Sequence, residues 1–246
     1  MPIPHQIAHH AVEAGAWAAA VAAAGTATYA ALGAQSQIFG KTLIAGSNPK
    51  QVALTYDDGP NEAATLKLLE LLAKHNARAT FFMIGRHVRR LRKLAHEVHA
   101  AGHLIGNHTD THPWLTFASP SKTRHELQDC NTAIEDAIGA PAKWVRFPHG
   151  ARLPYTIRIA RDLGLKPVQW NILAHDWRPI GVSGILERVD AGLARAQARG
   201  VGANICMHDG HQDSGRIDRS DTLVATEQLL QRLSPMYEFV TVDAWA

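Results

Sequence analysis

The sequence predicts an α/β fold in which parallel strands and helices alternate to form a barrel. Short apolar runs alternate with amphipathic helical patterns along most of the chain, and polar clusters follow several of these runs. A chain of 246 residues with 46% hydrophobic content can fill one barrel domain with a substantial core. Barrel enzymes place their chemistry at the carboxyl ends of the strands, so polar clusters behind apolar runs suit this architecture.

Residues 1–40 are predicted to form an alanine-rich N-terminal helical segment. From Ala14 to Ala34 there is no charged residue, and the stretch is long enough to cross a bilayer. Its side chains are small, however, which makes insertion into a bilayer marginal. An export signal normally begins with positively charged residues, but no Lys or Arg precedes Lys41. Three interpretations stay open: a weak membrane anchor through residues 11–34, an atypical export signal, or a helix packed on the domain.

Residues 41–50, with several turn-forming residues, are predicted to be a linker, and residues 51–246 a single catalytic domain. Amphipathic patterns such as Leu66, Leu69 and Leu72 separate the apolar runs. The runs predicted as buried parallel strands are 52–56, 79–84, 103–106, 143–147, 166–172, 203–207 and 238–242.

Charge and cysteine content exclude some functional classes. The net charge is only +3, which is too weak to indicate a nucleic-acid partner. The chain has two cysteines, Cys130 and Cys206, which do not suggest a disulfide framework.

Two adjacent carboxylates, Asp57 and Asp58, follow the first predicted strand, and Gly59-Pro60 then ends it. Adjacent residues of a strand point to opposite sides, so the two are predicted to play different roles. Because two close anions repel, they need a cation, a metal or a shared proton.

His108 and His112 form a second cluster. Their i, i+4 spacing predicts that both imidazoles lie on one side of a helical turn and reach one metal. Catalytic zinc sites use three His or carboxylate ligands and leave a position open for water. These two histidines and one of the aspartates make such a set.

These two clusters begin a series of five ordered motifs between residues 50 and 245. The series resembles the carbohydrate esterase family 4 polysaccharide deacetylases, the NodB homology domain. This resemblance implies a distorted (β/α)7 barrel, here preceded by the alanine-rich helix. The motifs are TYDDGP, HTDTHP, Arg146-Phe147-Pro148-His149-Gly150, Asp176-Trp177 and Ile205-Cys206-Met207-His208-Asp209.

The resemblance also implies a role for each motif residue. Asp58, His108 and His112 would hold a divalent metal, with Zn²⁺ as first choice and Co²⁺ or Ni²⁺ as alternatives. Asp57 would be the general base and Arg146 its partner. His208 would be the general acid, with Asp176 setting its pKa and orientation.

His149, Trp177 and Cys206 fall at the oxyanion and substrate-binding positions of the family. The family usually has Tyr in place of His149 and Leu in place of Cys206. A backbone N–H donor survives the first change, whereas the second would leave a roomier pocket. Leu173 also replaces a usual Asp.

We therefore expect a metal-dependent hydrolase that removes acetyl groups from an acetylated polysaccharide, with N-acetylglucosamine units of peptidoglycan or chitin-like polymers preferred. The alternatives are an O-acetyl xylan esterase, a deformylase acting on a lipid-linked sugar, or a catalytically silent carbohydrate-binding barrel. Such substrates favour an extracytoplasmic or cell-envelope location, with or without a membrane anchor, and a cytoplasmic location stays open. The sequence does not indicate an oligomeric state.

Overall fold

The computed structural model describes residues 4–213 and 217–246, with side chains described from residue 17 onward. All pairings in its sheet are parallel, in the order β5-β4-β3-β2-β1-β7-β6, and β8 pairs with the start of β1. The strands are β1 (Gln51–Gly59), β2 (Ala79–Met83), β3 (Leu104–Asn107), β4 (Trp144–Val145), β5 (Lys166–Pro167), β6 (Ile172–Leu173), β7 (Ala203–His208) and β8 (Glu238–Phe239). The predicted barrel and its N-terminal helix are confirmed.

Helices connect most of the strands and cover the outside of the sheet. The helices in the described part of the chain are α1 (Pro4–Leu32), α2 (Ala64–Lys74), α3 (Gly85–Arg90), α4 (Arg92–Ala100), α5 (Pro120–Ile138), α6 (Pro154–Asp162), α7 (Gly181–Ala198) and α8 (Ser220–Leu233). Single 3-10 turns lie at Pro148–Gly150 and Val242–Trp245.

Strand β1 lies at the centre of the fold, between β2 and β7. Eight of its nine residues are buried, as expected for a strand covered on both faces. Leu54 and Tyr56 belong to the main apolar cluster, where burial of each large side chain contributes about 1.5–3 kcal/mol. This central position makes the carboxyl end of β1, with Asp57 and Asp58, a rigid platform.

The predicted strand 166–172 is wrong as one element. The chain forms β5 and β6 instead, and Gln169 turns inward between them to give its carbonyl to the Arg146 guanidinium at 3.1 Å. The runs 143–147 and 238–242 also form shorter strands than predicted. Apolar content marks burial, but strand pairing ends wherever a backbone group takes another partner.

The segment before β1 closes the gap between β5 and β7. Leu43 forms a parallel bridge to Val168, donating its N–H to Pro167 O at 2.9 Å. Its carbonyl accepts the Gln169 N–H at 2.8 Å, and Asn204 Nδ2 donates to Ile44 O at 3.1 Å. Part of the predicted linker therefore lies in the barrel wall. The division into 1–40, 41–50 and 51–246 stays a prediction.

Arg152 attaches the end of α1 to the barrel. Its buried guanidinium donates to Gly33 O at 2.9 Å and to Ser36 O at 2.6 Å, and its N–H donates to Ala31 O at 2.9 Å. The α1 side chains of Trp17 and Val21 are exposed. Among the described residues, no helix combines the length and apolar character that a bilayer span requires.

Candidate active site

The carboxyl ends of β1, β3 and β7 open into a cleft of about 470 Å³. Eight of the ten predicted site residues line it; the buried pair Arg146 and Asp176 lies behind them and holds two of them in place. The lining residues are Asp57, Asp58, His108, His112, His149, Trp177, Cys206 and His208.

The two aspartates enter the same cleft, although adjacent residues of a regular strand point to opposite sides; their different roles stay a prediction. The register of β1 against β2 shifts between Asp57 and Gly59, and Asp58 has a left-handed φ of 72°. This irregularity turns the second carboxylate back toward the first, as bulges near active sites often do. His108 Nε2 lies 4.0 Å from Asp57 Oδ2 and 3.4 Å from Asp58 Oδ1.

Asp58, His108 and His112 form a compact group of possible metal ligands. The Asp58 Oδ1 atom lies 3.4 Å from His108 Nε2 and 3.1 Å from His112 Nε2. Ligand atoms placed tetrahedrally at ~2.0–2.2 Å from zinc lie ~3.3–3.6 Å apart, close to these separations.

The hydrogen bonds around this group indicate a cation between the ligands. His108 Nδ1 lies 2.7 Å from Arg146 O, and since a carbonyl only accepts, Nδ1 carries the proton. In a neutral ring the Nε2 lone pair then faces the Asp58 carboxylate, which is another acceptor. Asp58 Oδ1 and His112 Nδ1 are buried without a hydrogen-bond partner. A divalent metal would satisfy the two facing acceptors, so the residues fit one.

His108 and His112 converge through a loop, and their predicted position on a helical turn is wrong. Residues 108–112 form no helix, and Thr109 and His112 have left-handed φ angles of 65° and 62°. Glu126 of α5 holds this loop from below. Its Oε2 accepts the Asp110 and Thr111 N–H groups at 3.0 and 2.8 Å.

The charge state of Asp58 suits a metal ligand. Burial opposes its ionisation, but the imidazoles of His108 and His112 beside Oδ1 outweigh it and hold the pKa of this carboxyl well below its usual value. Asp58 is therefore an anion throughout the neutral range.

Arg146 holds Asp57 from inside the barrel. The guanidinium is fully buried, and its Nη1 donates to Asp57 Oδ1 at 2.9 Å and to Thr55 Oγ1 at 2.7 Å. Its Nη2 donates to Gln169 O at 3.1 Å and Asn204 Oδ1 at 3.2 Å. One carboxylate oxygen of Asp57 is thus fixed by a charge-assisted bond, and the other faces the cleft.

His208 and Asp176 form a second fixed pair across the cleft. Asp176 Oδ1 lies 2.8 Å from His208 Nδ1, and Asp176 Oδ2 accepts the His208 N–H at 2.8 Å. Thr222 Oγ1 also donates to Oδ2 at 2.8 Å. Burial disfavours the charged imidazole, but Asp176 with Asp58 and Asp57 outweighs it and raises the pKa of His208 to about 9. The imidazole is therefore protonated near neutral pH.

Trp177 and Cys206 form an apolar wall beside these groups. The Trp177 ring packs edge-on to His208, with centroids 4.8 Å apart. The buried Cys206 donates its S–H to Asp57 Oδ2 at 3.4 Å. Leu173, at a position where Asp is usual in the resembling family, also lines the cleft.

His149 lies on the opposite rim. Its ring stacks on Trp114 with centroids 3.8 Å apart and meets His112 edge-on at 4.6 Å. His149 has a left-handed φ of 59° and is the second residue of the 3-10 turn Pro148–Gly150. The N–H groups of the first residues of such a turn have no acceptor within it, so the His149 N–H can bind another group. Desolvation of the ring, with His112 and His108 nearby, lowers the pKa of His149 to about 4.

Sequence reasoning assigned no role to three residues that shape the site. Glu126 lies in a polar helix, and nothing local indicates that it supports the loop of His108 and His112. Trp114 directly follows the second motif in the sequence, and this position could have indicated that its ring lies near the site. Asp209 is buried, accepts from Thr65 Oγ1 at 2.5 Å and packs against Gly59.

Comparison with known proteins gives a family match. The model of the polysaccharide deacetylase family matches residues 45–168. A chitooligosaccharide deacetylase of Rhizobium leguminosarum bv. trifolii is 40% identical over 166 residues, covering 68% of this chain and 74% of that protein. A peptidoglycan-N-acetylglucosamine deacetylase of Bacillus cereus is 34% identical over 200 residues, or 80% and 88% of the two chains.

A solved structure with the same fold is that of a carbohydrate esterase family 4 pseudoenzyme from Bacillus anthracis. It superposes with a TM-score of 0.71 at 27% identity, covering 83% of this chain and 68% of that chain. Similarity of fold therefore extends to a protein described as a pseudoenzyme. Whether this chain is active must be judged from the residues present at its own site.

Proposed function

This chain belongs to the polysaccharide deacetylase family, and we propose that its substrate is an N-acetylglucosamine polymer or oligomer of the peptidoglycan or chitin type. The family consists of hydrolases that remove acetyl groups from acetylated polysaccharides. The observation that carries the proposal is a pair of proton-transfer groups, Asp57 and His208, each fixed by a buried partner and both lying beside a metal-ligand set. Relatives that act on chitooligosaccharides and on peptidoglycan support this substrate class.

Asp58, His108 and His112 would hold the metal, with Zn²⁺ preferred because two imidazoles and one carboxylate are a common catalytic zinc set. When bound, such a metal supplies Lewis acidity toward the acetyl carbonyl and lowers the pKa of water to ~7. Co²⁺ and Ni²⁺ suit the same donors.

Asp57 would act as the general base. Its Oδ2, which accepts the Cys206 S–H, faces the cleft 4.0 Å from His108 Nε2 and so lies beside the metal-ligand set, where it can take a proton from the attacking water. Arg146 holds the carboxylate in place, because the guanidinium is buried and donates to Oδ1 at 2.9 Å. The proton taken from water would rest on Asp57 Oδ2.

His208 would act as the general acid. Its Nδ1 is bound to Asp176, so Nε2 is the atom free to donate a proton to the leaving amine nitrogen. The raised pKa keeps that proton available at neutral pH. Amide hydrolysis needs such a donor more than ester hydrolysis does, because an amine leaves only once protonated. This supports N-deacetylation over the xylan esterase alternative.

The remaining residues would position the acetamide. Trp177 and Cys206 offer an apolar wall to the acetyl methyl, and the His149 N–H is a candidate donor to the oxyanion. The half-exposed rings of Trp114 and Trp177 pack against the cleft-lining residues His149 and His208, and such rings suit the apolar faces of pyranose units. A wall-polymer substrate would also place the activity in the cell envelope.

The test is acetate release from chitin oligomers, peptidoglycan and acetylated xylan, each after chelation and again after zinc is restored. We expect zinc-restored release from an N-acetylglucosamine substrate and little from xylan. Release from xylan alone would overturn the proposed substrate class. A folded, zinc-loaded protein that releases acetate from none of them would indicate the silent barrel or a lipid-linked substrate.

Asp176→Asn is expected to shift the alkaline limb of the pH profile to lower pH. The reaction needs His208 protonated, so kcat/KM should fall as pH rises through the pKa of His208, about 9 in this structure. Removing a carboxylate at 2.8 Å removes the main stabilisation of the charged ring and should lower that pKa by ~1–3 units. The profile of kcat/KM against pH measures the shift.

Thr222→Ala is the matched control, because it removes a hydrogen bond to the same carboxylate and leaves the charge in place. Its alkaline limb should stay close to that of the native protein. If the alkaline limb of the kcat/KM profile lies at the same pH in the native and Asp176→Asn proteins, then His208 is not the general acid whose pKa Asp176 raises.

A further inference from the structure

A second group of metal donors lies beside the first in the same cleft. The carboxylate of Asp57, the thiol of Cys206 and the imidazole of His208 each offer a ligand atom, and these atoms lie within 4.8 Å of one another. All three residues line the cleft and share none of their atoms with the group of Asp58, His108 and His112.

Asp57 and His208 are each fixed through their other polar atom, as metal ligands usually are. Arg146 binds Asp57 Oδ1, so that Oδ2 faces Cys206 and the cleft, and Asp176 binds His208 Nδ1, so that Nε2 is the ring atom left for a metal. Cys206 Sγ already lies 3.4 Å from Asp57 Oδ2, a separation typical of two ligands on one zinc ion.

We propose that Asp57, Cys206 and His208 form a second, weaker and inhibitory site for a thiophilic divalent cation such as Zn²⁺. Sulfur, nitrogen and oxygen donors together are a normal zinc set. A cation bound there occupies both the proposed base and the proposed acid, so it stops turnover without disturbing the first metal.

The second site is weaker for electrostatic reasons. The Arg146 guanidinium lies 2.9 Å from Asp57 and repels an incoming cation. Both the Cys206 thiol and the protonated His208 imidazole must release a proton to solvent before sulfur and Nε2 can bind. The two cations would also be close, since Asp57 Oδ2 lies 4.0 Å from His108 Nε2. Neighbouring metals at ~3.5–4 Å are nevertheless common in hydrolases.

Cobalt titration of the metal-free protein tests the site independently of activity. The first equivalent is expected to bind Asp58, His108 and His112, which contribute no sulfur. Further cobalt should add a sulfur-to-cobalt charge-transfer band in the near ultraviolet and raise the bound metal toward two per chain. The band should be absent in Cys206→Ala and Cys206→Ser, with one metal retained.

Cys130→Ala is the matched control. Cys130 is also a buried free thiol, but it lies in α5 and donates to Met83 O, away from the cleft. The band should persist in this variant. Its absence from the folded native protein, or its persistence in both Cys206 variants, would overturn the proposal.

Zinc inhibition is the second readout, and it rests on the proposed function. Within each protein, activity at excess zinc is compared with activity at one equivalent. The inhibitory zinc concentration should rise at least ~10-fold in Cys206→Ala, since even the loss of an outer-shell partner costs ~10–100-fold in affinity. An inactive native protein with the cobalt band would count against the function and leave the site standing, whereas an unchanged inhibitory concentration would remove its inhibitory role.

Discussion

Asp57→Asn is expected to lower kcat by at least ~10²-fold while the protein keeps one metal per chain, because general-base catalysis contributes ~10²–10⁴-fold. Asparagine has nearly the same shape and can still accept from Arg146, but it cannot take a proton. Asp57 is not in the ligand set of Asp58, His108 and His112, so the metal should stay. Steady-state kinetics and elemental analysis of the same preparation measure both quantities.

Asp190→Asn is the matched control for this substitution. Asp190 also pairs with an arginine, Arg232 at 2.5 Å, but both are exposed on α7 and α8 and lie outside the cleft. The Asp190→Asn protein should have the same kcat as the native protein. Because Asp57→Asn leaves a buried guanidinium without its anion, the thermal unfolding of each variant is measured as well. Full activity in a folded Asp57→Asn protein would remove Asp57 from the role of base.

The fold was predictable because it depends on patterns that are local and repeated. Apolar runs of strand length, such as the one leading into Asp57, recur between amphipathic helical patterns, and burial on both faces leaves parallel strands few other arrangements. The exceptions lie where the backbone leaves the regular pattern. Gln169 breaks one apolar run into β5 and β6 because its carbonyl is used by Arg146.

The site was predictable in its members but less so in its geometry. Strand and helix periodicity failed at Asp58 and His112, which both have left-handed φ angles that no periodic rule anticipates. The pairings of Asp176 with His208 and of Arg146 with Asp57 came from family resemblance, since these partners are 32 and 89 residues apart. Glu126 was missed because its partners are backbone N–H groups, which carry no sequence signal.

His112→Ala is expected to remove the metal from the first site and with it nearly all activity. Two ligands, Asp58 and His108, would remain of three, too few to hold zinc tightly. Zinc affinity should fall by more than the ~10–100-fold that loss of an outer-shell partner costs. Elemental analysis after dialysis against limiting zinc measures the occupancy.

His125→Ala is the control for this substitution, because His125 is an exposed imidazole on α5 beside Glu126 and lies outside the cleft. That variant should keep native zinc content and activity. Cobalt captured by Cys206 in His112→Ala would be recognised by its sulfur band, so the two sites can be told apart. If His112→Ala holds one tightly bound metal per chain with no sulfur band, then His112 is not a ligand and the assignment of the metal to Asp58 and His108 must change with it.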